Sequence, residues 1–185
     1  MNADQENMVV HVAWCQGLST AEVARRLRAE PGSAHERRVG DIGVGVRQAD
    51  EDDGAVLIGP AGTWSVIRQV QGWDCTRSAT VAALSDHGGQ ALGIGWDVNG
   101  NEPLLYAVDG RVLVRMDFNW PDDRQGADPH ALDPYLDGVE FGDPDDVEEN
   151  TNAALTLIGR VTGHPLDRAR LDATHIGYVI PADAW

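Results

Sequence analysis

QALGIGWDVNGNEPLLYAVDGRVLVRMDFNW, residues 90–120, sets the class of the domain. It reads as three consecutive antiparallel strands joined by two tight turns. Asn99-Gly100 and Asp109-Gly110 supply the turns, because these residues tolerate the positive φ that two-residue hairpin loops require. In the third strand Val112, Val114, Met116 and Phe118 alternate with Arg111, Leu113, Arg115 and Asp117. That alternation predicts a sheet with one buried and one solvated face.

Upstream, the punctuation continues in the same style. Residues 41–47, 55–59 and 63–70 read as strands, separated by the acidic turn ADEDDG (49–54) and by Pro60-Ala61-Gly62. Ser19 followed by Glu22 matches a capping box, so a helix is expected over 20–29, ended by Pro31-Gly32. Residues 30–40 read as a loop. The apolar run 8–15, MVVHVAWC, fits a strand or the start of a helix, and periodicity does not choose between them. A second helix is expected from Thr76 or Arg77 to about Ser85, closed by Gly88-Gly89.

Downstream, residues 119–143 are rich in Pro, Asp and Gly and predict a surface connection with a short helical turn at 129–136. Asp143 then caps a strong helix with Pro144 at its first position and further acids that suit the helix dipole. Its apolar stripe is read as Val147, Thr151, Ala154, Leu155, Ile158 and Val161. Gly163 and Pro165 stop it. A short helix at 166–171 and a final strand at 175–181 complete the expectation. The whole is an α+β fold: one domain over 1–185, a mainly antiparallel meander of about five to seven strands, packed by two to three helices.

GLSTAEVARRL, TWSVIRQVQGW, LSDHGG, WDVNG, YAVDGRV and the Thr162-Gly163 pair together resemble a family of uncharacterised actinobacterial proteins, a domain of unknown function. The resemblance covers most of the chain and departs at Arg68-Gln69 and in the acidic stretch 119–150. It implies a short leader and helix before a sheet, and no activity.

Composition excludes several chemistries. Lysine is absent and all 14 basic residues are Arg. Schiff-base formation, a Walker-type phosphate loop and a kinase strand lysine are therefore ruled out. The net charge of −16 concentrates toward the end: residues 121–185 carry fourteen acids and four Arg. Such a field opposes binding to nucleic acid and to anionic membranes and favours a basic partner. The amino-terminal stretch lacks the features of a secretion signal and no run is long enough for a membrane span, so a cytoplasmic protein is expected.

Candidate chemistry is sparse. No two of His11, His35, His87, His130, His164 and His175 lie two to four residues apart, and no metal or cofactor is expected. His87 and His164 sit at predicted helix ends, where an imidazolium meets free carbonyls. Cys75 is the one nucleophile with an argument, since a helix start and Arg77 would lower its pKa. The competing reading is that Cys75 and Cys15 are buried, inert thiols. Gly43, Gly45, Gly93 and Gly95 leave parts of the sheet face bare, for a ligand or for close approach of another segment. For binding, the candidates are Trp120, Asp143, Asp145, Asp146, Glu148, Glu149 and Trp185, with Trp73 as a further exposed anchor. Trp185 is read as a docked tail or an interaction point. The group Arg25, Arg26, Arg28, Arg37 and Arg38 is a solvated helix face or a contact, including self-association with the acidic half. The function expected is a non-catalytic acidic interaction module, accessory or antitoxin-like, binding a basic protein surface. An enzyme using Cys75 or an Asp/His pair, and a small-ligand domain, are the alternatives.

Overall fold

Val12-Ala13-Trp14-Cys15 is apolar on both sides of the pleat, and all four side chains are buried. This run is a strand in the middle of a sheet, where burial on both faces erases the alternation that marks a half-exposed strand. A computed structural model describes residues 10–38, 52–96, 103–164 and 174–185. Its strands are β1 (Val10–Gln16), β2 (His35–Arg38), β3 (Gly54–Ala61), β4 (Trp64–Gln71), β5 (Gln90–Trp96), β6 (Pro103–Val108), β7 (Arg111–Asp117), β8 (Arg124–Gln125) and β9 (Thr174–Ile180). Its helices are α1 (Thr20–Arg26), α2 (Ser78–Ser85) and α3 (Val147–Thr162).

Among the described residues the nine strands form one sheet in the order β2-β9-β3-β4-β1-β5-β6-β7-β8. Every pairing is antiparallel. The α+β class and the three helices agree with expectation, but the strand count exceeds five to seven. The surplus is short. β2 falls in the expected loop 30–40, and β8 is two residues inside the expected connection 119–143. Neither is long enough to show a period. The expected strand 41–47, the Asn99-Gly100 turn and the helix at 166–171 lie outside the described residues.

The sheet is covered on both faces, which corrects the one-sided expectation. One core joins Ala13, Val56, Ile67, Leu105 and Tyr178 to α1 and α2. The other joins Trp14, Trp64, Leu92, Met116 and Phe118 to Leu132 and α3. The alternation in β7 misled for a specific reason. Tyr106 pairs with Val114 and Ala107 with Val112, so Leu113 is an extra residue in a bulge. A bulge resets which way the side chains point. Val112 therefore packs on the α2 side while Val114, Met116 and Phe118 pack on the α3 side.

Local details follow the chemistry. Ser19 Oγ accepts the Glu22 amide at 3.3 Å and caps α1. The helix ends before 29 because Arg28 turns left-handed, with φ at 58°. Pro60 lies within β3 and not in the expected turn, which is displaced to Gly62-Thr63. Proline is tolerated there because β3 pairs with β9 only as far as Ile58, so no donor is missing from that side. Asp109-Gly110 forms the expected primed turn, with φ of 47° and 75°. The third helix starts at Val147, later than expected. Asp143-Pro144-Asp145 makes a separate turn, and Asp146 is the cap that accepts the Glu149 amide at 3.0 Å. Its buried stripe is Asn150, Ala153, Ala154, Leu157, Ile158 and Thr162, so Val147 and Leu155 do not lead the packing. Among the described residues no helix is long and apolar enough to cross a membrane.

Candidate functional site

Two surfaces carry exposed tryptophan, one on each side of the sheet, and each is built around a buried carboxamide. On the α3 side the carboxamide is Asn150, which has no exposed surface. Its Oδ1 accepts the Gly142 amide at 2.8 Å. Its Nδ2 donates to Asn119 Oδ1 at 3.0 Å and to the Asp143 carbonyl at 2.9 Å. One side chain thus ties the first turn of α3 to both ends of the connection that began as a predicted loop.

This tie fixes Trp120, 61% exposed, next to the acidic start of α3. Val147, at the first position of that helix, is 44% exposed. Asp143, Asp145, Asp146, Glu148 and Glu149 are all exposed. None of the five has an ion-pair partner among the described residues. The Asn119–Asn150 contact thus links the segment of Trp120 to that of the five acids and leaves Trp185 apart. Trp185 packs into the other core, on the α2 side, under the guanidinium of Arg28 at 4.4 Å.

On the α2 side the carboxamide is Gln69. Its Oε1 accepts the Cys75 amide at 2.9 Å, and its Nε2 donates to the Gln71 carbonyl at 2.6 Å and to Asp74 Oδ2 at 3.1 Å. Asp74 Oδ1 takes Arg77 Nε at 3.2 Å. A Cβ on Gly54 would stand 2.3 Å from Asp74 Oδ2, so the absence of a side chain there makes room for the carboxylate. These contacts hold the short turn Asp74–Thr76 and present Trp73, 53% exposed, with Arg77 over its ring at 4.0 Å. Sequence reasoning missed both Gln69 and Asn150. A polar residue inside a run of strand or helix pattern, next to a glycine-marked loop, is the signal that could have found them.

Behind this turn, Thr76 Oγ1 lies 3.0 Å from His11 Nδ1. The glycine pair of β5 serves close approach: a Cβ on Gly95 would meet His11 Nδ1 at 2.3 Å, and one on Gly93 would meet Val81 Cγ2 at 3.0 Å. Gly43 and Gly45 lie outside the described residues. The same His11, with Trp73, Arg77, Arg115 and Trp185, lines a cleft of about 820 Å³.

Cys75 is fully buried. Burial, and then the neighbouring Asp74 carboxylate, push its thiol far above the ordinary range. Burial pushes the Cys15 thiol up to about 12. Neither environment generates thiolate at neutral pH. His87 is left-handed beyond α2, with Asp86 Oδ2 at 2.9 Å from its Nδ1. The carbonyls that end α2 are instead taken by Arg26, whose Nη1 donates to Ala83 and Asp86 at 3.0 and 3.1 Å. Arg25 and Arg26 both bind Glu22 and hold its carboxyl down to about 2. Among the described residues no group of three His, Cys, Asp or Glu side chains is arranged to hold a metal ion.

What the fold and its surfaces define is an α+β protein with one antiparallel sheet clad on both faces. The chain belongs to a family of unknown function, DUF6461, which matches residues 4–178. No curated protein and no solved structure matches it.

Proposed function

We propose that this chain is a non-catalytic binding module that docks a basic protein surface through the acidic face around Trp120. The observation that carries the reading is the placement of Trp120. It is a large, exposed ring on a loop that Asn150 ties to the start of α3, where exposed Val147 and five carboxylates without ion-pair partners among the described residues lie. An apolar centre with a charged rim is the anatomy of a protein interface, and tryptophan is favoured among its strongest contacts. The sign of the rim selects the partner: arginine- and lysine-rich surfaces are steered in, and nucleic acid is repelled. An accessory or antitoxin-like role would use such a face to cover a cationic one.

The test is differential capture from the native host. Wild-type protein and Trp120→Ala would be immobilised and compared at two salt concentrations, with retained proteins identified by mass. The expected result is a basic protein held by wild type, released by salt and lost with Trp120→Ala. Retention of the same proteins by both forms, or of none that salt releases, would remove the reading.

A further inference from the structure

A cleft with two arginines lies on the opposite side of the sheet. Arg77 and Arg115 reach the 820 Å³ cleft from two different elements, the turn before α2 and strand β7. Arg115 is exposed and makes no ion pair among the described residues. Arg77 is held in place twice, by Asp74 and by the Trp73 ring. A second hollow of about 480 Å³ adjoins the first, sharing Ala79 and Trp185, and adds Arg25, Arg28 and His87. Asp86 is the acid among its lining residues.

Two tryptophans, Trp73 and Trp185, line the cleft. Trp73 offers an exposed face on a turn that the Gln69 contacts keep fixed. Trp185 carries an indole Nε1 that is shielded from solvent and donates to nothing in the described structure. Ser78 and Ala79, the first residues of α2, also line the cleft, and no side chain caps that helix. Its leading amides add a positive potential to that of the two guanidinium groups.

We infer that this cleft binds a small planar anion: an aromatic or heteroaromatic ring carrying a carboxylate or a phosphate. Guanidinium forks match the paired oxygens of both groups, and the rings supply stacking area. The volume lies in the range of small-molecule sites, roughly 300–1,000 Å³. A long polyanion is disfavoured, because the rest of the surface is strongly acidic and would repel its flanks. The inference stands apart from the Trp120 face, which lies across the sheet, so either can fail alone.

The experiment is calorimetric titration of the full chain with two ring-bearing anions, adenosine monophosphate and indole-3-acetate. Adenosine and inorganic phosphate serve as the uncharged and ringless controls. One ring-bearing anion is expected to bind at least about tenfold more tightly than either control, the worth of one charge-assisted hydrogen bond. Its identity separates the phosphate from the carboxylate source. Arg115→Gln is expected to weaken that binding by about tenfold. Arg111→Gln, an exposed change at the other end of β7, should leave it unaltered, and thermal unfolding of both variants would confirm an intact fold. Equal affinity for ring-bearing anions and controls, or unchanged affinity in folded Arg115→Gln, would overturn the inference.

Discussion

The two faces of the sheet solve the same mechanical problem with opposite charge. On each, a buried carboxamide grips an irregular segment that presents a tryptophan: Asn150 for Trp120, Gln69 for Trp73. On the Trp120 side the acids at the start of α3 have no ion-pair partner among the described residues. Beside Trp73, Arg77 lies over the ring and is itself paired with Asp74. The likeness shows that rigidity of the presenting loop comes from backbone hydrogen bonds to one amide side chain. The contrast lies in the charged groups beside each ring: Asn150 reaches the acidic segment through the Asp143 carbonyl, and Gln69 holds the Asp74 carboxylate that pairs with Arg77.

If this parallel holds, the largest effects come from the two amides. Asn150→Ala leaves the Gly142 amide and the Asp143 carbonyl without their partner and should cost about 3 kcal/mol, a melting temperature lower by about 6–12 °C. Gln69→Ala removes the partner of the Cys75 amide and should cost about 2 kcal/mol. Thermal unfolding would read both. The sharper expectation is crossed: Asn150→Ala should weaken capture at the Trp120 face and spare the Arg115 cleft, and Gln69→Ala the reverse. Equal loss at both surfaces from either change would mean the faces are not independent.

A smaller effect is expected at Gly95. An alanine there would press on the His11 ring and should cost about 1–2 kcal/mol of overpacking. His11→Ala should relieve part of it, so denaturant unfolding of the double variant would give less than the summed cost. Strict additivity would show that the ring swings clear without consequence.

The smallest effect is electrostatic and confined to the α1 side. Glu22 ionises near 2 in the folded protein against an ordinary value of 4.5, because Arg25 and Arg26 bind its carboxylate. The unfolded chain therefore takes up this proton first as pH falls. The stabilisation is complete above about 4.5 and is lost as pH drops toward 2. Glu22→Gln should flatten that portion of the melting temperature against pH and leave the neutral region nearly unchanged. The same slope in both forms would assign the acid sensitivity elsewhere.

Much of the sheet was legible because hairpin turns announce themselves locally. Asp109-Gly110, Gly163 after α3 and the Ser19 cap all act within a few residues of where they appear in sequence. What was hidden depends on partners far along the chain. β1 looked ambiguous because both its faces are buried between β4 and β5. The side of Val112 was misjudged because a single bulged residue, Leu113, leaves no compositional trace. The acidic face was readable as a charge run, yet its organising residue, Asn150, lies one position before Thr151 of the expected apolar stripe, in the first turn of the helix, and its partners Asn119, Gly142 and Asp143 are fixed only by folding. The arginine cleft was not readable at all, since Trp73, Arg115 and Trp185 are joined only by folding.

The lengths of the outermost strands carry a last consequence. A row of unpaired amides and carbonyls at a sheet border invites a neighbouring chain to zip on, the first step toward fibrils and swapped dimers. Among the described residues the borders are β2, four residues with the sequence HERR, and β8, two residues. Each is too brief, and β2 too charged, to template such growth. Among the described strands the long apolar ones lie inside this order, where both edges of each are paired and offer a neighbouring chain no free backbone row.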